Sequence, residues 1–157
     1  MTNALNLQAP VDTLAMEFTR EFDAPVQALF RAHAEPELVS QWLGPHGLEM
    51  KIEEWNFTAH GGYRYVHSTE HSDFRFNGTF HTVRENEFAI QTFEFEGFPD
   101  VVSIESMRFE DLGGGRTRLT GHSVFPTVEA RDGMVASNME AGMREGYERL
   151  DDVVAAR

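Results

Sequence analysis

The sequence contains no cysteine, so it can form no disulfide, offer no thiol nucleophile and supply no thiolate ligand to a metal. Basic residues are scarce, because 13 Lys and Arg stand against 26 Asp and Glu and give a formal net charge of −13. A surface of that sign repels phosphate backbones and anionic lipid, so we predict neither a nucleic-acid nor a membrane partner. Residues 1–13 lack both the basic start and the apolar run of a signal peptide. We therefore interpret them as a flexible leader and expect a cytoplasmic protein.

The last stretch of the chain, from Thr127 to Arg157, predicts a single long amphipathic helix with Thr127 as its N-cap. A helix of about 25 residues would be about 38 Å long, so it requires a broad apolar surface to pack against. Its apolar or small residues recur at steps of three and four, which places them on one face. These residues are Ala136, Met139, Met143, Tyr147, Leu150 and Val154.

The remainder of the chain predicts one antiparallel sheet with two short helices near its start. The residues from Leu14 to Phe22 alternate between two faces, which predicts a strand, and the inward-facing residues from Val26 to His33 have the spacing of a helix. A second helix is predicted to begin at Glu35-Pro36 and to end before Gly44-Pro45. From Leu48 the period changes to two, and short turns join the segments as hairpins. The predicted strands are Leu48–Phe57, Gly62–Thr69, Asp73–Arg84, Glu87–Glu96, Val101–Glu110 and Arg116–Phe125.

Residues 14–157 are therefore predicted to form a single α+β domain. A sheet with one apolar face needs one long helix to cover it, and about seven strands with many phenylalanines favour a curved surface that wraps that helix. The length of 157 residues is enough for one core without disulfides or structural metals.

This order of elements resembles the helix-grip fold of the START-like (SRPBCC) superfamily. The segments that carry a closer resemblance are Arg20–Pro25 with Leu29-Phe30, Pro36-Glu37 followed by Trp42–Pro45, Gly61-Gly62 with Tyr63 and Tyr65, Gly113–Thr120 and Met139–Leu150. Through these segments the sequence is similar, from about Phe18 to Ala156, to the branch of that superfamily named for activators of a heat-shock chaperone ATPase.

The resemblance implies a cavity between the curved sheet and the long helix that binds an apolar small molecule or a lipid. Our first hypothesis is therefore a binding protein without catalysis; alternatively, the same side chains fill the space as ordinary core. Aromatic and methionine side chains would form the walls, with an occasional polar tip. The residues that we expect to line the cavity are Trp42, Tyr65, His67, Phe76, Phe80, Phe93, Met139 and Met143.

A second hypothesis is an enzyme of the cyclase, dehydratase or hydrolase type, as some members of the superfamily are. By residue type alone, His67, Arg64, Gln91 and Glu105 are candidates for polar groups that converge in the cavity, and His81 is a further possible donor. The motif H-x-x-E-H starting at His67 lies at a turn between strands, where the two imidazoles cannot meet as on a helix, so a zinc peptidase is not predicted. No metal or cofactor is expected.

A third hypothesis is a stress-related protein-interaction module of the co-chaperone kind. The chaperone activators that this family is named for carry a separate preceding domain with an Asn- and Trp-rich motif. Only about 13 residues precede the first predicted strand here, and Asn3 and Asn6 have no Trp nearby. A chaperone partner is therefore not predicted, whereas the sequence leaves a homodimer open.

Overall fold

A computed structural model describes residues 3–155 of the chain as a mixed α+β domain. Its elements follow the predicted order, with two short helices after an early strand and a helical segment at the end. The strands are β1 Asn6–Gln8, β2 Ala15–Phe22, β3 Glu49–Trp55, β4 Gly62–Ser68, β5 Asp73–Arg84, β6 Phe88–Phe95, β7 Val102–Gly113 and β8 Arg116–Val124; the helices are α1 Val26–Ala34, α2 Pro36–Val39, α3 Val128–Ala136 and α4 Met139–Ala155.

All the described strands belong to one antiparallel sheet in the order β1-β2-β8-β7-β6-β5-β4-β3. The run from β3 to β8 is the predicted meander, and β2 pairs with β8, from Ala15 opposite Val124 to Phe22 opposite Thr117. The sheet is not closed, since β1 and β3 remain at its edges. The helix-grip fold class predicted from the sequence is confirmed.

Three irregularities bend the sheet around the final helix. The register shifts between Ile52 and Glu54 in β3, between Phe80 and Thr82 in β5, and beside Gly113 in β7. An extra residue in one strand of an antiparallel pair bends that strand and increases its twist. The sheet therefore presents a concave face, and α4 lies against it.

The prediction of one uninterrupted helix from Thr127 is wrong, because the chain breaks between α3 and α4. Ser137 ends α3, and Asn138 adopts a left-handed conformation with φ of 65°, which Asn tolerates better than most residues. Ala136 is consequently exposed instead of continuing the apolar face of α4. The predicted N-cap is confirmed, since Thr127 Oγ1 accepts a hydrogen bond of 3.0 Å from the Ala130 amide.

Strand β1 lies inside the segment that the sequence analysis treats as a flexible leader. Its three residues pair with β2, with Leu7 opposite Phe18. Arg131 of α3 is only 4% exposed, and its guanidinium donates to the Pro10 carbonyl. Part of the expected leader is therefore held on the sheet, and a strand of three residues is too short to show an alternating pattern in the sequence.

The C-terminal half of α4 is fixed to the sheet by an ion pair between a buried arginine and a partly exposed aspartate. Arg20 of β2 is 2% exposed, and its two terminal nitrogens donate to both carboxylate oxygens of Asp151 at 2.7 and 2.8 Å. The guanidinium also lies over the Phe22 ring, 4.6 Å from its centroid. Around this pair, Leu150 of α4 packs in a fully buried cluster with Leu29 of α1 and Leu119 of β8.

None of the helices within residues 3–155 combines the length and the apolar composition needed to cross a lipid bilayer.

Candidate functional site

A cavity of about 550 Å³ lies between the concave face of the sheet and the first turns of α4. The loop after α2 closes one side of it through Trp42, Gly44 and Pro45, and the strands from β4 to β8 supply most of the opposite wall. Seven of the eight residues predicted to line a cavity do so: Trp42, Tyr65, His67, Phe76, Phe93, Met139 and Met143.

Phe80 is the exception, and its prediction as a lining residue is corrected by its packing. The side chain is completely buried, with ring centroids 4.7 Å from Phe57, 4.9 Å from Tyr63 and 5.3 Å from Trp55. It points inward, as the alternation of β5 requires, but three other rings cover it. Phe80 is therefore part of the core beneath the cavity.

One wall of the cavity is a continuous aromatic surface. The Phe76 ring stacks on Tyr65 and Phe93 at centroid distances of 5.1 and 5.5 Å, and His67 lies 5.2 Å from the Tyr65 ring. These side chains come from β4, β5 and β6, where neighbouring residues on one face meet across the strands. The wall thus offers a flat, apolar ligand a surface for stacking.

Two histidines that the sequence analysis treats as possible donors differ in position. His67 is 6% exposed, and burial lowers its pKa, with a further lowering by the charge of Arg149 and an opposing effect of the Leu43 carbonyl. His81 is exposed and its ring faces His60 at 5.7 Å, so its assignment to the cavity is wrong. The other end of the H-x-x-E-H motif, His71, is an exposed turn residue.

Arg64, a candidate for catalysis by residue type, lies outside the cavity. It alternates with the inward-facing Tyr63 and Tyr65 on β4, and its guanidinium donates to both oxygens of Glu96 at 2.8 and 2.7 Å. It also pairs with Glu53. The hydrogen bonds from Arg64 lower the pKa of Glu96 to about 2, so this group is a surface ion-pair network.

Glu105 of β7 is the centre of the polar part of the cavity. It is flanked across the sheet by Gln91 of β6 and Ser123 of β8. Burial raises the pKa of the Glu105 carboxyl to about 7, although the Ser123 hydroxyl and the Gln91 amide partly oppose that shift. Gln91 Nε2 lies 3.4 Å from Glu105 Oε1 and 3.3 Å from the Tyr63 hydroxyl. A carboxyl that titrates near neutrality is thus held inside an otherwise apolar space.

Three tyrosines surround this carboxyl and remain protonated. Burial raises the pKa of Tyr63, Tyr65 and Tyr147, and the negative charge of Glu105 raises each of them further. The Tyr63 hydroxyl donates to the Thr92 carbonyl at 2.5 Å. The hydroxyls of Tyr65 and Tyr147 make no hydrogen bond within residues 3–155, and both side chains line the cavity. They are therefore available to a ligand.

His33 of α1 is a lining residue that is not among those predicted from the sequence. Its Nδ1 lies 2.8 Å from the Leu29 carbonyl, and since a carbonyl only accepts, Nδ1 carries the hydrogen. Nε2 is then an acceptor, and it has no partner among the described residues. Burial lowers the pKa of His33 to about 4, so the ring is neutral at physiological pH. Helical periodicity places His33 inward but cannot show that a cavity lies beside it.

The loop after α2 is attached to α4 at three points. The Glu145 carboxylate accepts a hydrogen bond of 2.8 Å from the His46 amide, and Arg149 donates to the Gly44 carbonyl. Gly146 touches the same loop, since a Cβ at this position would lie 2.8 Å from the Trp42 carbonyl oxygen. Gly44 has a φ of 99° and a Cβ there would overlap the His67 ring, so this position requires glycine.

A metal-dependent site has no support in the described part of the chain, where no group of three or more His, Asp or Glu side chains is placed to hold an ion.

Solved structures of other proteins share the fold of this chain. A crystal structure of a protein from Rhodobacter sphaeroides is 26% identical, covers 98% of this chain and 100% of its own, and has a TM-score of 0.88. A solution structure of a protein from Arthrobacter aurescens is also 26% identical, with 97% and 92% covered and a TM-score of 0.86. A crystal structure of protein Ms6760 from Mycobacterium smegmatis, 20% identical with 99% of both chains covered and a TM-score of 0.84, shares the fold.

Sequence comparison gives the family but no characterised relative. No curated protein matches the chain. The family model described as "Activator of Hsp90 ATPase homolog 1-like protein" matches residues 23–155, which include α1 to α4 and the sheet from β3 to β8. The chain therefore belongs to the Activator of Hsp90 ATPase homolog 1-like family, with an SRPBCC-type domain.

Proposed function

We propose that the protein binds a small, mainly apolar molecule in the cavity between the sheet and α4. The observation that carries this proposal is the cavity of about 550 Å³ with walls made largely of aromatic and methionine side chains. Ligand pockets fall between about 300 and 1,000 Å³ and combine apolar walls with a few polar groups, as this one does. Members of the family bind hydrophobic ligands or interact with chaperones, and the cavity favours the first of these roles.

The composition of the walls suits a ligand that enters and leaves. Met134, Met139 and Met143 line the cavity from the helical side. Unbranched thioether side chains change rotamer at low cost and adapt to different shapes. The opposite aromatic wall is held by stacking, so a flat ligand between the two would gain the dispersion contacts that an unfilled apolar space lacks.

A matched pair of glycine substitutions tests the proposal. Gly142 of α4 lines the cavity, and a Cβ there would lie 3.7 Å from Pro45, which is an ordinary contact. The Cβ of a leucine at this position is therefore accommodated, and the rest of its side chain would fill part of the cavity. Gly133 of α3 lies away from the cavity, and a Cβ added there would have no atom within 4 Å, so Gly133→Leu is the control. Both substitutions replace a helical glycine, which makes their effects on helix propensity similar.

The assay is a fluorescence titration with Nile red, a neutral dye whose emission rises in apolar surroundings. We expect saturable binding to the wild type and to Gly133→Leu, and affinity at least about tenfold weaker for Gly142→Leu, equivalent to about 1.4 kcal/mol. Equal affinities for the three proteins, or no saturable binding to the wild type, would contradict the proposed site.

A second candidate function is catalysis in the same cavity with Glu105 as a general acid and base. The pKa of about 7 favours it, since a group that titrates near the working pH can both give and take a proton. In this case untargeted mass spectrometry of a small-molecule extract should show compounds that the wild type consumes and Glu105→Gln does not. Identical extracts after both incubations would leave binding as the function.

A further inference from the structure

The hydrogen bonds around Glu105 use the donors of that cluster and leave acceptors free. Gln91 Nε2 carries two hydrogens, and its two neighbours are the Tyr63 hydroxyl and Glu105 Oε1. The Tyr63 hydrogen is directed to the Thr92 carbonyl. The groups that can still form hydrogen bonds are acceptors, namely the Gln91 carbonyl oxygen and the lone pairs of Glu105. An ionised carboxylate can accept about four hydrogen bonds. When Glu105 is ionised, a ligand that reaches this cluster must therefore bring a hydrogen to it.

The charges around the cavity also favour a ligand that donates a hydrogen bond over one that carries a negative charge. Two of its lining residues are acidic, Glu105 and Glu145, and no Arg or Lys from residues 3–155 lines it. Of the nearby guanidinium groups, Arg20 is paired with Asp151, and Arg149, which donates to the Gly44 carbonyl, does not line the cavity. A ligand carboxylate would therefore be buried beside another carboxyl without a cation to pair with, which is strongly unfavourable.

The tyrosine hydroxyls do not reverse this preference. Tyr65 and Tyr147 can either donate to a ligand or accept from it, so they suit an alcohol, an amine or an acid equally well. Glu105 discriminates among these ligands because, when ionised, it only accepts.

We infer that the cavity selects an apolar molecule that ends in a hydrogen-bond donor, a hydroxyl or a protonated amine directed at Glu105 and Gln91, and that it rejects molecules ending in a carboxylate. This inference rests on the proposed binding function and specifies its ligand. The aromatic wall and the methionines hold the apolar part, and the polar cluster at β6 and β7 orients the donor. The strongly acidic surface of the protein, with its net charge of −13, also repels an approaching anion.

The test uses four compounds with one decyl chain: n-decanol, decylamine, decyl methyl ether and decanoate. Each is titrated against the complex of the protein with Nile red, and the concentration that displaces half of the dye is compared. We expect decanol and decylamine to displace the dye at concentrations at least about tenfold lower than the ether and decanoate, because a hydrogen bond to a charged group is lost with each of the latter. A preference for decylamine that grows above about pH 7 would assign the site to amines, and a constant preference for decanol would assign it to alcohols.

Two variants identify the group responsible. Glu105→Gln keeps the shape of the side chain, removes its charge and adds a donor, so the ratio between decanoate and decanol should fall by about tenfold or more. Glu110→Gln removes a charge from the same strand but on the outer face, where Glu110 pairs with Arg118 at 2.9 Å, so it should leave the ratio unchanged.

The outcomes separate this inference from the binding function. If Nile red binds and decanoate displaces it as readily as decanol does, or if Glu105→Gln leaves the ratio unchanged, the preference for donors is wrong and the binding function stands. If Nile red and the decyl compounds do not bind at all, the binding function fails and the inference fails with it.

Discussion

Replacing Gly146 by alanine would test the contact that sets the distance between α4 and the loop after α2. The added Cβ would lie 2.8 Å from the Trp42 carbonyl oxygen and 3.3 Å from the Gly44 backbone nitrogen and oxygen. All three neighbours are backbone atoms, which cannot rotate away as the end of a long side chain can. The helix or the loop must therefore move by a few tenths of an ångström, and the contacts from Arg149 and Glu145 to the same loop must adjust with it.

The expected magnitude follows from two opposing effects. Alanine is favoured over glycine inside a helix by about 1 kcal/mol, whereas overpacking typically costs about 1 to 3 kcal/mol. Gly133→Ala shares the first effect but not the second, because open space surrounds its Cβ position. The difference in the free energy of unfolding between the two variants should thus be about 1 to 3 kcal/mol, with Gly133→Ala the more stable.

Urea denaturation of the wild type and both variants measures this difference directly. Thermal unfolding provides a second measurement, since for a chain of this length about 1 kcal/mol corresponds to about 2 to 4 °C in Tm. If Gly146→Ala raised stability as much as Gly133→Ala does, α4 would not approach the loop as closely as the structure shows. The contact between Gly146 and the loop would then not hold one wall of the cavity in place.

Three further predictions concern the core, a helix cap and pH. Phe80→Ala should lower the free energy of unfolding by about 3 to 5 kcal/mol, whereas Phe98→Ala, whose side chain is 67% exposed, should change it by less than about 0.5 kcal/mol, both in urea denaturation. Thr127→Ala should cost about 1 kcal/mol by the same measurement, because the Ala130 amide loses its acceptor. The folded state raises the pKa of Glu105 from 4.5 to about 7, so the stability that its protonated form provides is full at acidic pH and is lost as the pH rises through 7. The stability of Glu105→Gln relative to the wild type should therefore increase by about 3 kcal/mol between about pH 4 and pH 8, and a constant difference would contradict the raised pKa.

The fold could be predicted from the sequence because its signals are local. The change of period at Leu48 and the turn residues between segments located β3 to β8 to within a few residues at most ends, and the span predicted for β5 agrees with the structure. Tyr65, Phe76 and Phe93, which the family resemblance and their aromatic type predict as lining residues, lie on the concave face. Alternation along a strand separates its two faces, but it does not show which of them lines the cavity.

The predictions differ from the structure where contacts between distant parts of the chain determine the surroundings of a residue. Phe76 and Phe80 have the same alternation on β5, but the rings of other segments bury Phe80 completely, whereas Phe76 lines the cavity. Arg64 and Glu105 are both charged residues in strands, and the face of the sheet makes one a surface ion pair and the other a partly buried carboxyl in the cavity. No Gly or Pro marks the break at Asn138. The apolar periodicity therefore predicts one continuous helix across this position.

The position of the cavity follows from how unevenly α4 is held. Its C-terminal part is fixed by the Arg20–Asp151 pair and by Leu150, which is fully buried, whereas Met139 and Met143 near its start are only partly buried. The apolar face of α4 is covered by other residues along its C-terminal part but only partly covered at its start. A gap is therefore left beneath the first turns of the helix. Because Gly146 already touches the loop after α2, the helix cannot close that gap by tilting toward the sheet without a clash of backbone atoms. The space is therefore a consequence of where the helix is anchored, and a ligand that fills it would supply the contacts that the first turns of α4 lack.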